Sequence, residues 1–121
     1  MNIRIKTKKE VVVTVAIQKY LDTRLASIER LLGAQAELAR CEVELGRAAG
    51  KKHQSDHMWF AEIHVKAHGG ISAYAKNNAA SVNAAIDDVK EEVERQLRTA
   101  KKVRVTKTKK QGRDAKRVLR G

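Results

Sequence analysis

The sequence predicts a two-layer α+β sandwich of order β-α-β-β-β-α, a four-stranded sheet with two helices on one face. Three observations predict it. Segments around 2–6, 38–45, 58–68 and 71–76 alternate apolar and polar residues with the period of two that a half-buried strand requires. Two longer segments, 15–32 and 81–102, repeat apolar residues at three and four, the signature of an amphipathic helix. Between the last two alternating runs stands Gly69-Gly70, a hairpin signal because both glycines accept positive φ.

The first strand is short: Ile3 and Ile5 point one way, Arg4 and Lys6 the other. A polar break, Thr7 to Glu10, separates it from Val11–Val13, which can extend a strand or cover the core edge. Thr14 is placed to cap a helix from about Val15 to Leu32, with Ile17, Tyr20, Leu21, Leu25, Ile28, Leu31 and Leu32 as its apolar stripe and Gly33 as its stop. In Leu38–Leu45, Cys41, Val43 and Leu45 share the inward face. Gly46–Asp56 reads as a polar, basic loop containing Gly50, Lys51 and Lys52. Met58–His68 is the clearest strand, with Trp59, Ala61, Ile63, Val65 and Ala67 inward and Phe60, Glu62, His64, Lys66 and His68 outward. Ile71, Ala73 and Ala75 then alternate with Ser72, Tyr74 and Lys76. Ser81 caps the final helix, whose stripe is Val82, Ala85, Ile86, Val89, Val93, Leu97 and Ala100. Strands one and two should be parallel neighbours joined by a right-handed crossover, and the later links are short enough for antiparallel pairs.

The 121 residues support one modest core, and their net charge of +12 is unevenly spread. From Arg98 to Gly121 eleven Lys or Arg face one acid, Asp114, whereas residues 1–97 are close to neutral. The reading is a domain of residues 1–102 and a flexible basic tail of residues 103–121, in which Ala115, Val118 and Leu119 can form a short helix when bound. Such a tail favours a polyanion, of which nucleic acid is the expected kind. The single cysteine, Cys41, forbids an intrachain disulfide, and no apolar run approaches the length of a membrane span. The N-terminus has no signal-peptide core. A cytoplasmic protein with no membrane partner is expected.

Nothing in the sequence reads as a catalytic constellation, a cofactor site or a small-molecule pocket. His53 and His57 fall in the loop, and His64 and His68 stand roughly 13 Å apart on one strand face, too far to share a metal ion. Cys41 reads as a small core residue and Trp59 as a core anchor; Phe60 and Tyr74 are the better base-stacking candidates. The candidates for function are basic. Lys19, Arg24 and Arg30 on the first helix can join Arg95, Arg98, Lys101 and Lys102 on the second in one positive ridge, provided the helices pack side by side.

The opening MNIRIKT, the segment YLDTRLASIERLL, the strand WFAEIHV and above all NAAIDDVKEEVERQL resemble, in order, the ribosome hibernation-promoting factors, the YfiA-like ribosome-associated inhibitors. The resemblance spans residues 1 to about 102. It implies the same fold and a non-enzymatic protein that binds the small ribosomal subunit and its rRNA in the mRNA/tRNA path, holding idle ribosomes inactive. It points to Arg24, Arg95 and the basic residues after Arg95 as rRNA contacts. Three departures stand out. Glu92 occupies a position that is often lysine in the family, with Lys90 and Arg98 as possible substitutes on opposite sides of the helix. Val15 replaces a usual proline. The residues after 102 lack the dimerisation domain of long members, which implies a short or tailed form. An alternative is a general RNA-binding module, since the α-β-β-β-α order also resembles double-stranded RNA-binding domains; their lysine cluster is absent from the start of this last helix, SVNAAIDD.

Overall fold

A computed structural model describes residues 1–8, 11–48 and 58–120, with side chains through residue 101. The chain forms β1 (Asn2–Lys8), α1 (Val15–Leu32), β2 (Arg40–Arg47), β3 (Trp59–Lys66), β4 (Ser72–Ala79) and α2 (Val82–Arg120). Gly50, Lys51, Lys52, His53 and His57, read above as loop residues, lie outside the described residues, as does the side chain of Lys102.

The helix ends are set by local chemistry. Thr14 Oγ1 accepts from the Ile17 amide at 3.2 Å, and Ser81 Oγ accepts from the Ala84 amide at 3.0 Å, each satisfying a first-turn N–H that has no helical partner. Gly33, at φ 60°, turns the chain out of α1 while its N–H bonds back to Arg30 and Glu29 carbonyls. A 3-10 turn over Gly33–Leu38 follows. It leaves Leu38 73% exposed, so β2 starts at Arg40 rather than at Leu38 as the alternation predicts. Helix α2 continues as helical backbone beyond Lys102, past the end of its apolar stripe, to Arg120.

The sheet order is β1-β2-β3-β4. β1 and β2 are parallel, with Ile5 beside Val43; β2–β3 and β3–β4 are antiparallel, with Val43 beside Ile63 and Ile63 beside Ala75. The β3–β4 reversal uses Gly69 and Gly70, at φ 79° and 78°. Because side chains alternate across the pleat, this register stacks Cys41, Val43, Leu45, Ala61, Ile63, Val65, Ala73 and Ala75 on one face. All are buried beneath Leu21, Leu25, Ile28 and Leu32 of α1 and Ala85, Ile86, Val89, Val93 and Leu97 of α2. The fold is an α+β sandwich, as the patterning predicts.

Four burial expectations need correction. Ile3 is 39% exposed and Ile5 only half-buried, because β1 is an edge strand and has no neighbour beyond it. Trp59 is half-buried at the end of β3, beside Arg47, not a core anchor. Phe60, on the face away from the helices, is only 7% exposed: its ring lies over Gly46, opposite it on β2, with Lys76 Nζ 4.8 Å from the ring centre. A glycine leaves open the space an aromatic neighbour covers. Phe60 is therefore no open stacking surface.

A Cβ on Gly46 would collide with the Phe60 ring at Cε1 and stand 3.2 Å from Lys8 Cβ. Gly46→Ala is expected to cost about 1–3 kcal/mol, the usual range for overpacking. Urea unfolding should show this loss, and most of it should vanish in a Phe60→Leu background, where the offending ring atoms are gone.

Candidate nucleic-acid interface

The apolar stripes that cover the sheet also bring the two helices together. Their polar contacts climb in step: Tyr20 and Arg24 reach Asp87, Ser27 reaches Glu94, and Lys101 reaches the Leu31 carbonyl. Contacts that ascend both helices together mean that α1 and α2 run parallel and side by side, the arrangement the predicted ridge requires.

At the first of these contacts Tyr20 donates its hydroxyl to Asp87 Oδ2, and Arg24 Nε donates to Oδ1 at 3.0 Å. The Arg24 guanidinium also lies 3.8 Å from the centre of the Tyr20 ring. Cation–π stacking and a charge-assisted hydrogen bond together hold this half-buried arginine in one place. The Tyr20 hydroxyl, and next Arg24, hold the Asp87 carboxyl below its usual range, while the same bond pushes the Tyr20 hydroxyl up. Thr23, Arg24, Ser27, Arg30, Asp87, Lys90 and Glu91 line an open polar groove of about 390 Å³ between the helices.

Two turns beyond Asp87 on α2, Glu94 is only 5% exposed. Its carboxylate accepts from Ser27 Oγ at 2.7 Å and Arg98 at 3.1 Å, and Lys90 Nζ lies 3.2 Å away. Burial works to raise its pKa, but the Ser27 bond and the two cations outweigh burial and leave the carboxyl below its usual range. Lys90 and Arg98, expected on opposite sides of the helix, thus converge on one carboxylate. Residues 90, 94 and 98 are spaced by four, and side chains four apart lie on the same helix face.

Arg95 turns away from this groove. It makes two bonds to Glu92, at 2.9 and 2.6 Å, and Glu92 also accepts from Gln96 at 3.0 Å. Those bonds, Arg95 first, lower the Glu92 carboxyl to about 2. Gln96 then closes the outer edge of β4: its Oε1 accepts from the Tyr74 amide at 2.9 Å and its Nε2 donates to the Tyr74 carbonyl at 2.8 Å. An edge strand otherwise leaves such backbone groups free to pair with another chain.

The structure therefore brings Arg24, Arg30 and Lys90 to one groove, with Arg98 joined to it through Glu94. Lys101 Nζ donates to the Leu31 carbonyl at 2.6 Å, at the C-terminal end of α1, where carbonyls lack helical partners. Lys19 is exposed and not part of the groove lining. The ridge is a line of cations interleaved with acids, not a bare positive strip. Sequence reasoning overlooked Tyr20, Ser27, Asp87, Glu94 and Gln96 as parts of it. The signal available was the i, i+4 spacing of Lys90, Glu94 and Arg98; the partners on the other helix and on β4 carry no sequence signal.

Elsewhere, the exposed Tyr74 ring meets His64 edge-on at 5.7 Å and donates its hydroxyl to Glu62 at 3.1 Å. Cys41 is buried, and burial, helped by Glu42, pushes its thiol up to about 12, the opposite of an activated nucleophile. Among the described residues, no three His, Cys, Asp or Glu side chains are grouped to hold a metal ion, and no helix is long and apolar enough to cross a membrane.

The chain is thus a two-layer α+β sandwich with two parallel helices on one face of a four-stranded sheet. The model of the sigma 54 modulation protein / S30EA ribosomal protein family matches residues 3–105, and the chain belongs to that family. Among solved structures, the N-terminal domain of Thermus thermophilus Protein Y is similar with a TM-score of 0.62 and 30% identity, over 80% of this chain and 96% of that one. A ribosomal subunit interface protein from Coxiella burnetii shares the fold with a TM-score of 0.59 and 16% identity, over 84% of this chain and 98% of that one. No curated protein matches the sequence.

Glu94→Gln keeps the shape and the Ser27 contact but removes the charge between two cations. It is expected to cost about 1.5–3 kcal/mol near neutral pH, the scale of losing hydrogen bonds to a charged group. The pH dependence has a definite sign. Carboxyls lowered on folding add stability above their unfolded pKa, 4.5 for glutamate, and lose it as pH falls through the folded value. Urea midpoints should fall on acidification below about pH 4.5, and less steeply in Glu94→Gln than in the wild type. A wild-type slope equal to the variant's would remove Glu94 from the centre of this network.

Proposed function

We propose that this protein is a ribosome hibernation factor. It binds the small ribosomal subunit along the mRNA/tRNA path, excludes those ligands sterically, and keeps idle ribosomes intact and inactive in the cytoplasm. The observation that carries this reading is membership, over residues 3–105, of a family described by a ribosomal protein. The folded body, residues 1–102, fills the path and the basic segment 103–121 adds salt-sensitive affinity for rRNA. No bond is made or broken: inhibition comes from occupancy.

The geometry suggests how a ridge of paired cations serves RNA. Exposed ion pairs contribute little net stability, so a phosphate can take the place of a surface carboxylate at small cost. Arg95, paired with the partly exposed Glu92, is such a case; Arg98 is itself exposed, but its partner Glu94 is buried and also held by Ser27 and Lys90. Arg24 is different: stacked on Tyr20 and tied to Asp87, it presents a fixed fork with little entropy left to lose. Arg24, Arg30, Lys90, Arg95, Arg98, Lys101 and Lys102, with Lys19 at the margin, are the proposed contacts.

Co-sedimentation with small subunits over a series of salt concentrations tests the reading. Binding at low salt that weakens steeply with added salt is the expected result; no binding at low salt would sink it. Equal affinity for free duplex RNA and for ribosomes would instead favour a general RNA-binding module. Arg95→Gln with Arg98→Gln should weaken subunit binding at least tenfold while the thermal transition stays cooperative, because Arg95 projects into solvent and Ser27 and Lys90 still hold Glu94.

A further inference from the structure

The sheet face turned away from the helices has its own charge pattern. Strand register sets it in rows. Asn2, Arg40, Lys66 and Ser72 form one row across the four strands. Arg4, Glu42, His64 and Tyr74 form the next. Three cations, Arg4, Arg40 and Lys66, thus gather at one corner, Arg40 directly opposite Lys66 and Arg4 one diagonal step from Arg40 on the neighbouring strand. All three are exposed. Asn2, Arg4, Arg40, Cys41 and Glu42 line a shallow polar depression of about 220 Å³ there. The acids of this face lie mostly elsewhere: Glu44 pairs with Lys8 at 3.4 Å, and Glu62 accepts from Tyr74. Among the described residues, only Glu42 sits among the three cations.

From this placement we infer that the corner of Arg4, Arg40 and Lys66 is a second RNA-binding surface, on the side of the sheet opposite the helical groove, and that its occupant is the phosphodiester backbone of rRNA. The chemistry fits: guanidinium forks match phosphate oxygens bidentately, and Lys66 adds a point charge beside them. Tyr74, 48% exposed in the adjoining row, offers a ring on which a neighbouring base can stack. The inference rests on the ribosome reading for the source of the RNA and sharpens it. Cations on both outer faces of a two-layer sandwich cannot meet one strand at once. They suit a protein wedged between two RNA segments, as one filling a channel would be, rather than one docked on a single surface.

The test uses the full chain and the triple variant Arg4→Gln, Arg40→Gln, Lys66→Gln, with Arg4→Lys, Arg40→Lys as a charge-retaining control and circular dichroism to confirm folding. Each phosphate contact contributes about 0.7–0.9 to the slope of log K against log salt. The triple variant should therefore lose about 2–3 from that slope on small subunits, and bind about tenfold or more weakly at ~0.1 M salt, while the control keeps the wild-type slope. Wild-type binding with an unchanged triple variant would overturn the inference and leave the hibernation reading standing. Absence of wild-type binding would overturn both. In a separate arm, inorganic phosphate is titrated against the labelled protein by NMR. Saturable sub-millimolar shifts confined to Asn2, Arg4 and Arg40 would reassign the corner to a free anion and overturn the RNA assignment; weak, unsaturated shifts at high millimolar phosphate agree with a site that needs a polyanion.

Discussion

The fold depends on a single apolar layer with one covered side. Val43, Leu45, Ile63 and Val65 project from the two central strands, and the stripes of α1 and α2 close over them with almost no residual exposure. Burying side chains of this size is worth about 1.5–3 kcal/mol each, which makes this layer the main source of stability in a domain of modest mass. It also sets where everything else goes. A helix that commits one stripe to the sheet has only its flanks and its back for charge, and a sheet covered on one side must show its alternate residues to solvent on the other.

The flanks are where the two helices regulate each other. Asp87 and Glu94 are acids that α2 offers to α1, and Tyr20, Arg24 and Ser27 receive them. These contacts fix the parallel alignment of the helices, and they position the same cations that face outward. Positioning and neutralisation therefore come together: a cation that is ordered by a carboxylate is also partly quenched by it. Under the proposed role, recognition of RNA by such a ridge rests on exchange of partners and on geometry more than on bare positive potential, and the open face, with fewer acids at its cationic corner, complements it.

The difference between what could and could not be read from the chain follows the range of the interaction. Helix α1 was legible to the residue because its determinants are local: a threonine one place before the first turn, a stripe at three and four, a glycine after the last. Strand β2 was legible in type but displaced, because a 3-10 turn leaves no pattern distinct from a loop. The sheathing of Phe60 was not legible: it depends on Gly46, which faces it only through the β2–β3 register. The bonds of Gln96 to β4 span 22 positions, and those of Tyr20 and Ser27 to α2 span 67. No spacing rule reaches so far.

The amino-acid order alone determined the element sequence, the covered face of the sheet and the concentration of positive charge toward the end of the chain, because periodicity, capping and formal charge are properties of neighbours. The tertiary structure decided which cations are held and by what. It placed Lys90 and Arg98 on one buried carboxylate, stacked Arg24 on Tyr20, spent Lys101 on the end of α1, and gathered Arg4, Arg40 and Lys66 from three strands. The physical reason is that a charge acquires its chemistry from the groups within a few ångströms, and in a sheet with a parallel crossover those groups come from the far parts of the chain.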